Sequence, residues 1–316
     1  MTGTSRAHAR VSVATDHVLA IFGPTASGKT AVAEAVAERI PAEIVSADSM
    51  QVYRGLPLLT AQPERTTRLV AIWELDHEGS VGEYQHLAHK AIDEVLAAGK
   101  TPIVVGGTGL YFRAALANLE LPPAPRPGAR ERWESVYDDE GGERAHELLS
   151  ERDPEAAAAV HPNDRRRVVR ALELAEAGTS LRSGRNRLWT EETRHPTDVF
   201  GLGLPKEELD RRIEERARKI FARGVRAEAG RASQATLSDT ARYALGLAEL
   251  VEHPDDEVAL EALVRRTRRY ASYQRKWMRR IPGLVSLTAD RPPGEVADEL
   301  LQVARARQRL PAGRAG

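Results

Sequence analysis

The chain contains no cysteine. It therefore holds no disulfide and no thiolate zinc site, which suits a reducing, cytoplasmic setting. It also lacks any apolar run of the roughly 18–20 residues that a membrane span requires, so no membrane partner is expected. Residues 1–17 are polar, carry no apolar centre of the kind a signal peptide needs, and read as a disordered tail. Net charge is missing too: Lys+Arg and Asp+Glu each total 46, which argues against a protein coated all over in nucleic acid. Local basic surfaces are not excluded, because the arginines cluster at Arg165, Arg166, Arg167 and Arg170 and again between Arg265 and Arg280. No repeat of fixed period is present. What remains is a chain of 316 residues, 41% hydrophobic and 29% charged. That suits a soluble globular protein of one large domain or two modest ones.

Residues 18–118 alternate between short apolar runs (18–22, 43–46, 101–105) and helical stretches such as 30–39 and 81–98. The pattern predicts an α/β fold, a parallel sheet flanked by helices. Functional groups in such sheets sit just past the C-terminal strand ends, which singles out residues 23–30, 47–53 and 106–111. Between Leu121 and Gly128 the sequence places Pro122, Pro123, Pro125 and Pro127, a stiff extended connector. Residues 129–178 then read as wholly helical, a small insertion, and a polar stretch runs from 180 to 197. A strand is expected at 199–204, with mostly helical, Arg-rich sequence from Lys206 onward. The expected division is a discontinuous catalytic core (18–122 and 198–290), a helical insertion with its return (123–197), and a C-terminal helix and tail (291–316).

Gly23, Pro24, Thr25, Ala26, Ser27, Gly28, Lys29 and Thr30 fit the pattern G-x-x-x-x-G-K-[ST] between a strand and a helix. Such a loop wraps phosphate oxygens in backbone N–H groups, aided by the helix N-terminus. Lys29 can reach phosphate oxygens and Thr30 can hold Mg2+. Asp48, beyond the second strand, has three readings: a helix N-cap, a Mg2+ ligand or a general base. Thr108 follows paired glycines and either belongs to a structural turn or offers its hydroxyl to a ligand. Arg166, Arg167 and Arg170 share a helical face that is either solvated or laid against a phosphate backbone.

Residues 23–30, 46–54, 106–113, 161–173 (opening His161, Pro162, Asn163, Asp164) and 211–216 occur in the order seen in tRNA dimethylallyltransferases, and the chain resembles that family over residues 18–282. The resemblance implies a P-loop NTPase-like sheet with a small all-helical insertion domain and a helical C-terminal region. It implies transfer of a dimethylallyl group from dimethylallyl diphosphate to N6 of the adenosine 3′ of a tRNA anticodon. Residues 23–30 would then hold the diphosphate of the donor, not ATP, with Mg2+ on Thr30. Asp48 would be the general base, Lys29 and Arg212 would neutralise the leaving group, and Thr25 and Thr108 would flank the reacting centre. The tRNA anticodon stem-loop would meet Asp48, Ser49, Met50, Gln51, Thr108, Arg130, Arg166, Arg167, Val168, Val169 and Arg170, and the basic, aromatic helix around 268–277. The insertion would act as an anticodon-loop clamp, and the target base would leave its stack to react. A monomer is expected.

The chain departs from the family's usual pattern at Gln62, Trp73, Glu74, Leu247, Ala248 and Met278. None of these is in the phosphate loop or at Asp48, Thr108 or Arg212. Rival readings are an adenylate isopentenyltransferase acting on free AMP, ADP or ATP, a P-loop small-molecule kinase, and an RNA-binding module with a vestigial loop. The first predicts a smaller helical insertion, and the second leaves the 161–173 segment unexplained.

Overall fold

The computed structural model describes residues 16–122, 126, 128–181 and 187–309. Residues 1–15 of the expected tail, Pro123, Pro125 and Pro127 of the connector, residues 182–186 of the polar stretch and residues 310–316 lie outside the described residues. One parallel sheet contains β1 (Val18–Phe22), β2 (Ala42–Ala47), β3 (Thr101–Gly106), β4 (Thr197–Gly203) and β5 (Val285–Thr288), in the order β2-β3-β1-β4-β5. The sheet and the loop after β1 are P-loop NTPase-like. β1 and β3 are buried along their whole length. That is why both read as unbroken apolar runs: a strand covered on both faces has no polar side to alternate with.

Around the sheet lie α1 (Lys29–Arg39), α2 (Val81–Ala97) and α3 (Gly109–Leu116), with α4 (Ala129–Glu140), α5 (Gly142–Arg152), α6 (Pro154–Ala159) and α7 (Arg165–Glu176) forming the insertion. After β4 follow α8 (Lys206–Ala222), α9 (Val225–Ser233), α10 (Leu247–Glu252), α11 (Asp256–Met278) and, after β5, α12 (Pro293–Arg309). The chain divides into two compact units, Met1–Asn118 with Glu191–Gly316, and Leu119–Thr190. Among the described residues no helix is long and apolar enough to cross a membrane.

The sheet unit differs from expectation in two places. β3 lies between β2 and β1, yet Asp48 stands close enough to the phosphate loop for its charge to act on Lys29. β5 falls in the sequence expected to be mostly helical from Lys206 onward; it is a four-residue edge strand in which Leu287 alone is buried, too short to carry a period. The C-terminal helix belongs to the sheet unit: α12 buries Val296, Ala297, Leu300, Leu301 and Ala304, and Asp298 accepts from Arg39 of α1 at 2.6 Å.

The helical unit has its own core of Trp133, Ala145, Leu149, Ala156, Val160, Val168, Val169, Ala171 and Leu172. Its short helices are set by caps. Asp153 accepts from Ala156 N–H with Pro154 in the first turn, and Asp164 accepts from Arg167 N–H.

Register places the site. Phe22 pairs with Gly106 across β1 and β3, and Ala47 pairs with Gly106 across β2 and β3. Three strands therefore end level, and the turns after them are neighbours. A Cβ on Gly106 would lie 2.1 Å from the Ala47 carbonyl oxygen, so only glycine allows this spacing. Gly106→Ala is expected to cost about 1–3 kcal/mol through overpacking, read as a lowered urea midpoint; an unchanged midpoint would show that β2 can yield.

Candidate active site

The loop between β1 and α1 is strained and primed for an anion. Gly28 takes φ 87° and Ala26 takes φ 63°, left-handed values that glycine meets easily and alanine rarely. No side chain caps α1, so its first N–H groups are left for a ligand. The Ser27 hydroxyl is buried without a hydrogen-bond partner among the described residues, and a buried hydroxyl of that kind calls for an acceptor or donor from elsewhere. Lys29 Nζ donates to the Pro24 carbonyl at 3.1 Å, within its own loop.

Thr25 is held from two sides. Its N–H donates to Gln274 Oε1 of α11 at 2.8 Å, and its hydroxyl accepts from Arg216 of α8 at 2.6 Å. Arg216 also donates to the Leu59 carbonyl at 3.1 Å. Arg212, one turn earlier on α8, donates to Glu208 at 2.5 Å and lies 3.6 Å from Asp290. A Cβ on Gly28 would sit 3.8 Å from Arg212, so both arginines border the loop. Arg216, however, is the one bonded to it.

Asp48 opens a turn and caps no regular helix. Its Oδ1 accepts from Met50 N–H at 2.9 Å and Gln51 N–H at 3.4 Å. Its Oδ2 accepts no hydrogen bond among the described residues. Ser49 N–H donates to Thr108 Oγ1 at 3.3 Å, and the Tyr270 hydroxyl lies 3.4 Å from the same oxygen. Thr108 thus joins the turns after β2 and β3 to α11. Met50 packs against the core, while Gln51 donates to the Ala61 carbonyl at 2.9 Å and accepts from Ser46 at 2.8 Å.

The site's electrostatics centre on Asp48. Burial pulls the Lys29 ammonium down to about 8, with the Asp48 carboxylate opposing and Arg216 assisting. Burial likewise lowers Arg216, again opposed by Asp48. Tyr84, Tyr111 and Tyr270 are all pushed up by burial, with Asp48 adding to the effect. Three neutral phenols therefore stand around one carboxylate, and two cations share its field. No group of three or more His, Cys, Asp or Glu residues able to hold a metal occurs among the described residues. The geometry offers an anion cradle and a carboxylate base in one place.

In the helical unit, Arg130 and Arg170 converge on Glu173, at 2.9 and 2.8 Å. Glu173 is 1% exposed. Arg166 and Arg167 are exposed on the same helix. Val168 and Val169, also expected to meet RNA, are at 0% and 3% exposure and fill this unit's core, because α7 turns that side inward.

The sequence pattern described as IPP transferase matches residues 51–281, and that described as Isopentenyl transferase matches 16–68. The chain belongs to the IPP transferase family. A tRNA dimethylallyltransferase of Thermobifida fusca is 39% identical over 292 residues, 87% of this chain and 91% of that protein. Another, of Anaeromyxobacter dehalogenans, is 40% identical over 289 residues, 88% and 96% of the two chains. The crystal structure of the full-length tRNA isopentenylpyrophosphate transferase from Bacillus halodurans superposes with a TM-score of 0.65 at 30% identity, covering 93% of this chain and 100% of that one.

Several departures from the usual IPP transferase pattern are structural here. Gln62 donates to the Tyr53 carbonyl at 2.7 Å. Trp73 is buried edge-on to Tyr53, with ring centroids 5.8 Å apart. Leu247 is core, Ala248 is half-buried beside it, and Glu74 pairs with exposed Arg54. Three residues escaped the sequence reading: Arg216, Gln274 and Glu173. Gln274 and Glu173 carried a signal, since each is polar at a buried-stripe position, Gln274 after Thr267 and Ala271, and Glu173 after Val169.

Lys29 is charged below about 8 and neutral above it, and only the ammonium attracts a polyanion. Wild-type affinity for inorganic pyrophosphate is expected to weaken as pH rises through this value, a step missing from Lys29→Ala. Calorimetric titration from about pH 6.5 to 9.5 tests this; parallel profiles would remove Lys29 from the anion site.

Proposed function

We propose that this IPP transferase moves the dimethylallyl group of dimethylallyl diphosphate to N6 of the adenosine 3′ of the anticodon in tRNA, releasing diphosphate. One observation carries the reading. Asp48, with an unengaged carboxylate oxygen, shares its field with Lys29 and Arg216 of the anion loop. The relatives that match over more than four fifths of the chain are named tRNA dimethylallyltransferases, which favours this acceptor over free adenylate or a kinase substrate.

The N6 lone pair attacks C1 of the dimethylallyl group. The C1–O bond breaks, its electron pair stays on the diphosphate oxygen, and Asp48 takes the N6 proton. The amine is a weak nucleophile because its lone pair is delocalised into the purine, so a base is worth about 10²–10⁴-fold. Residues 23–30 hold the diphosphate: their free N–H groups, the orphaned Ser27 hydroxyl and Lys29 face the growing charge. Arg216 through Thr25, with Arg212 beside Gly28, adds positive charge at the same end.

Among the described residues the Thr30 hydroxyl makes no hydrogen bond, and no cluster of three or more His, Cys, Asp or Glu residues competes for a metal. Both observations fit Mg2+ held by Thr30 and substrate oxygens. When bound, the ion supplies further positive charge to the leaving diphosphate. On the tRNA side we assign Asp48, Ser49, Met50, Gln51 and Thr108 in the sheet unit, and Arg130, Arg166, Arg167 and Arg170 in the helical unit. The unpaired anticodon loop lets its adenine unstack at modest cost. We place the protein in the cytoplasm as a monomer.

Incubation with Mg2+, dimethylallyl diphosphate and an unmodified anticodon stem-loop should add the mass of one prenyl group to the RNA. Gain on AMP alone would move the assignment to free adenylate. Asp48→Asn keeps the turn, since its amide oxygen can still accept from Met50 N–H. It should slow transfer by about 10²–10⁴-fold, far more than it weakens stem-loop binding. Equal loss of rate and affinity would make Asp48 a structural residue.

A further inference from the structure

We infer that Gln274 is a positioning residue that sets the separation between the donor and acceptor halves of the site. The inference deepens the prenyl-transfer reading and rests on it for its kinetic consequence. Donor chemistry sits on the turn after β1, and acceptor chemistry sits on the turns after β2 and β3. Gln274 spans them. Its Oε1 accepts from Thr25 N–H at 2.8 Å, and its Nε2 donates to the Gly107 carbonyl at 2.9 Å. Both bonds are buried, and the residue is 2% exposed. The direct main-chain link, Gly23 N–H to the Gly106 carbonyl, is long at 3.3 Å.

The contact is close on every side. A Cβ on Gly107 would fall 2.3 Å from Gln274 Nε2 and 2.9 Å from the Gly23 carbonyl oxygen, so the two turns and the amide fill the space between them. Tyr270, Gln274 and Trp277 recur at helical spacing along one face of α11. Tyr270 meets Thr108, Gln274 ties Thr25 to Gly107, and Trp277 lies over Gly109. One stripe of one helix thus braces the turns after β1 and β3.

A brace of this kind acts on geometry rather than on binding. The donor is gripped by residues 23–30 whether or not Gln274 is present, and the acceptor base is set by Asp48 and Thr108. What the amide holds is the distance between them. Reacting atoms must come within about 3–3.5 Å, and a misplacement of about 1 Å can cost on the order of 100-fold in rate.

The test compares Gln274→Met, which keeps volume and loses both bonds, with Gln274→Glu. A protonated glutamic acid can donate to the Gly107 carbonyl and accept from Thr25 N–H as the amide does; its carboxylate form cannot donate. Gln274→Met is expected to lower the single-turnover transfer rate about 10–100-fold at saturating substrates. Pyrophosphate and stem-loop dissociation constants should change less than about threefold. Gln274→Glu should be slow at pH 8 and recover toward wild type at pH 6, the ratio to wild type rising about tenfold as the buried carboxyl protonates. Taking the ratio cancels the titration of Lys29 and of the other groups shared by both enzymes.

Hydrogen exchange of the Thr25 amide is measured alongside. Its protection should fall at least about tenfold in Gln274→Met. Loss confined to pyrophosphate affinity with transfer rate retained, a flat Gln274→Glu ratio, or unchanged Thr25 protection would each overturn the inference. If wild-type protein prenylates no RNA, the functional reading fails on its own. Thr25 exchange then still decides whether the brace exists.

Discussion

The site depends on how closely three backbone turns approach one another at the ends of β1, β2 and β3. In-register pairing brings Phe22, Gly106 and Ala47 level, and a glycine at 106 lets β2 and β3 lie as near as they do. The anion loop, the Asp48 turn and the Thr108 turn then share one small volume. Helices α8 and α11 complete it from outside the sheet, each through a polar side chain that reaches inward: Arg216 to Thr25, Gln274 to Thr25 and Gly107.

Crowding these groups together has an electrostatic consequence. A lysine and an arginine that are desolvated lose part of their preference for charge, and a nearby carboxylate restores some of it. Asp48 is thereby paired in field with the cations that would face a diphosphate, without being locked to either by a hydrogen bond. Its turn engages only Oδ1, which leaves Oδ2 without a hydrogen bond among the described residues. The tyrosines around it are held in their neutral form by burial and by its charge.

Much of this was readable along the chain. The run at 18–22 predicted β1 to the residue, the loop at 23–30 followed from its glycines and lysine, and the helical insertion from its alanine- and arginine-rich periodicity. Other features were not readable, for identifiable reasons. β5 is too short and too exposed to show a period. Val168 and Val169 fall within an arginine-rich segment, and only the orientation of α7 reveals that they are core. Arg212 and Arg216 lie one turn apart on α8 and are equivalent in sequence pattern. Which of them bonds the loop depends on how that helix is rotated against the sheet.

The sequence by itself determined the parallel sheet, the phosphate loop and the family, because those depend on local backbone preference and on residues close together in the chain. Tertiary structure decided which long-range partners complete the site. β3 separates the Asp48 strand from the loop strand, yet the carboxylate's field still reaches Lys29. Gln274, 249 residues beyond Thr25, bonds its amide. Such contacts arise from packing a helix stripe against the ends of a twisted sheet, and no spacing within a single segment encodes them.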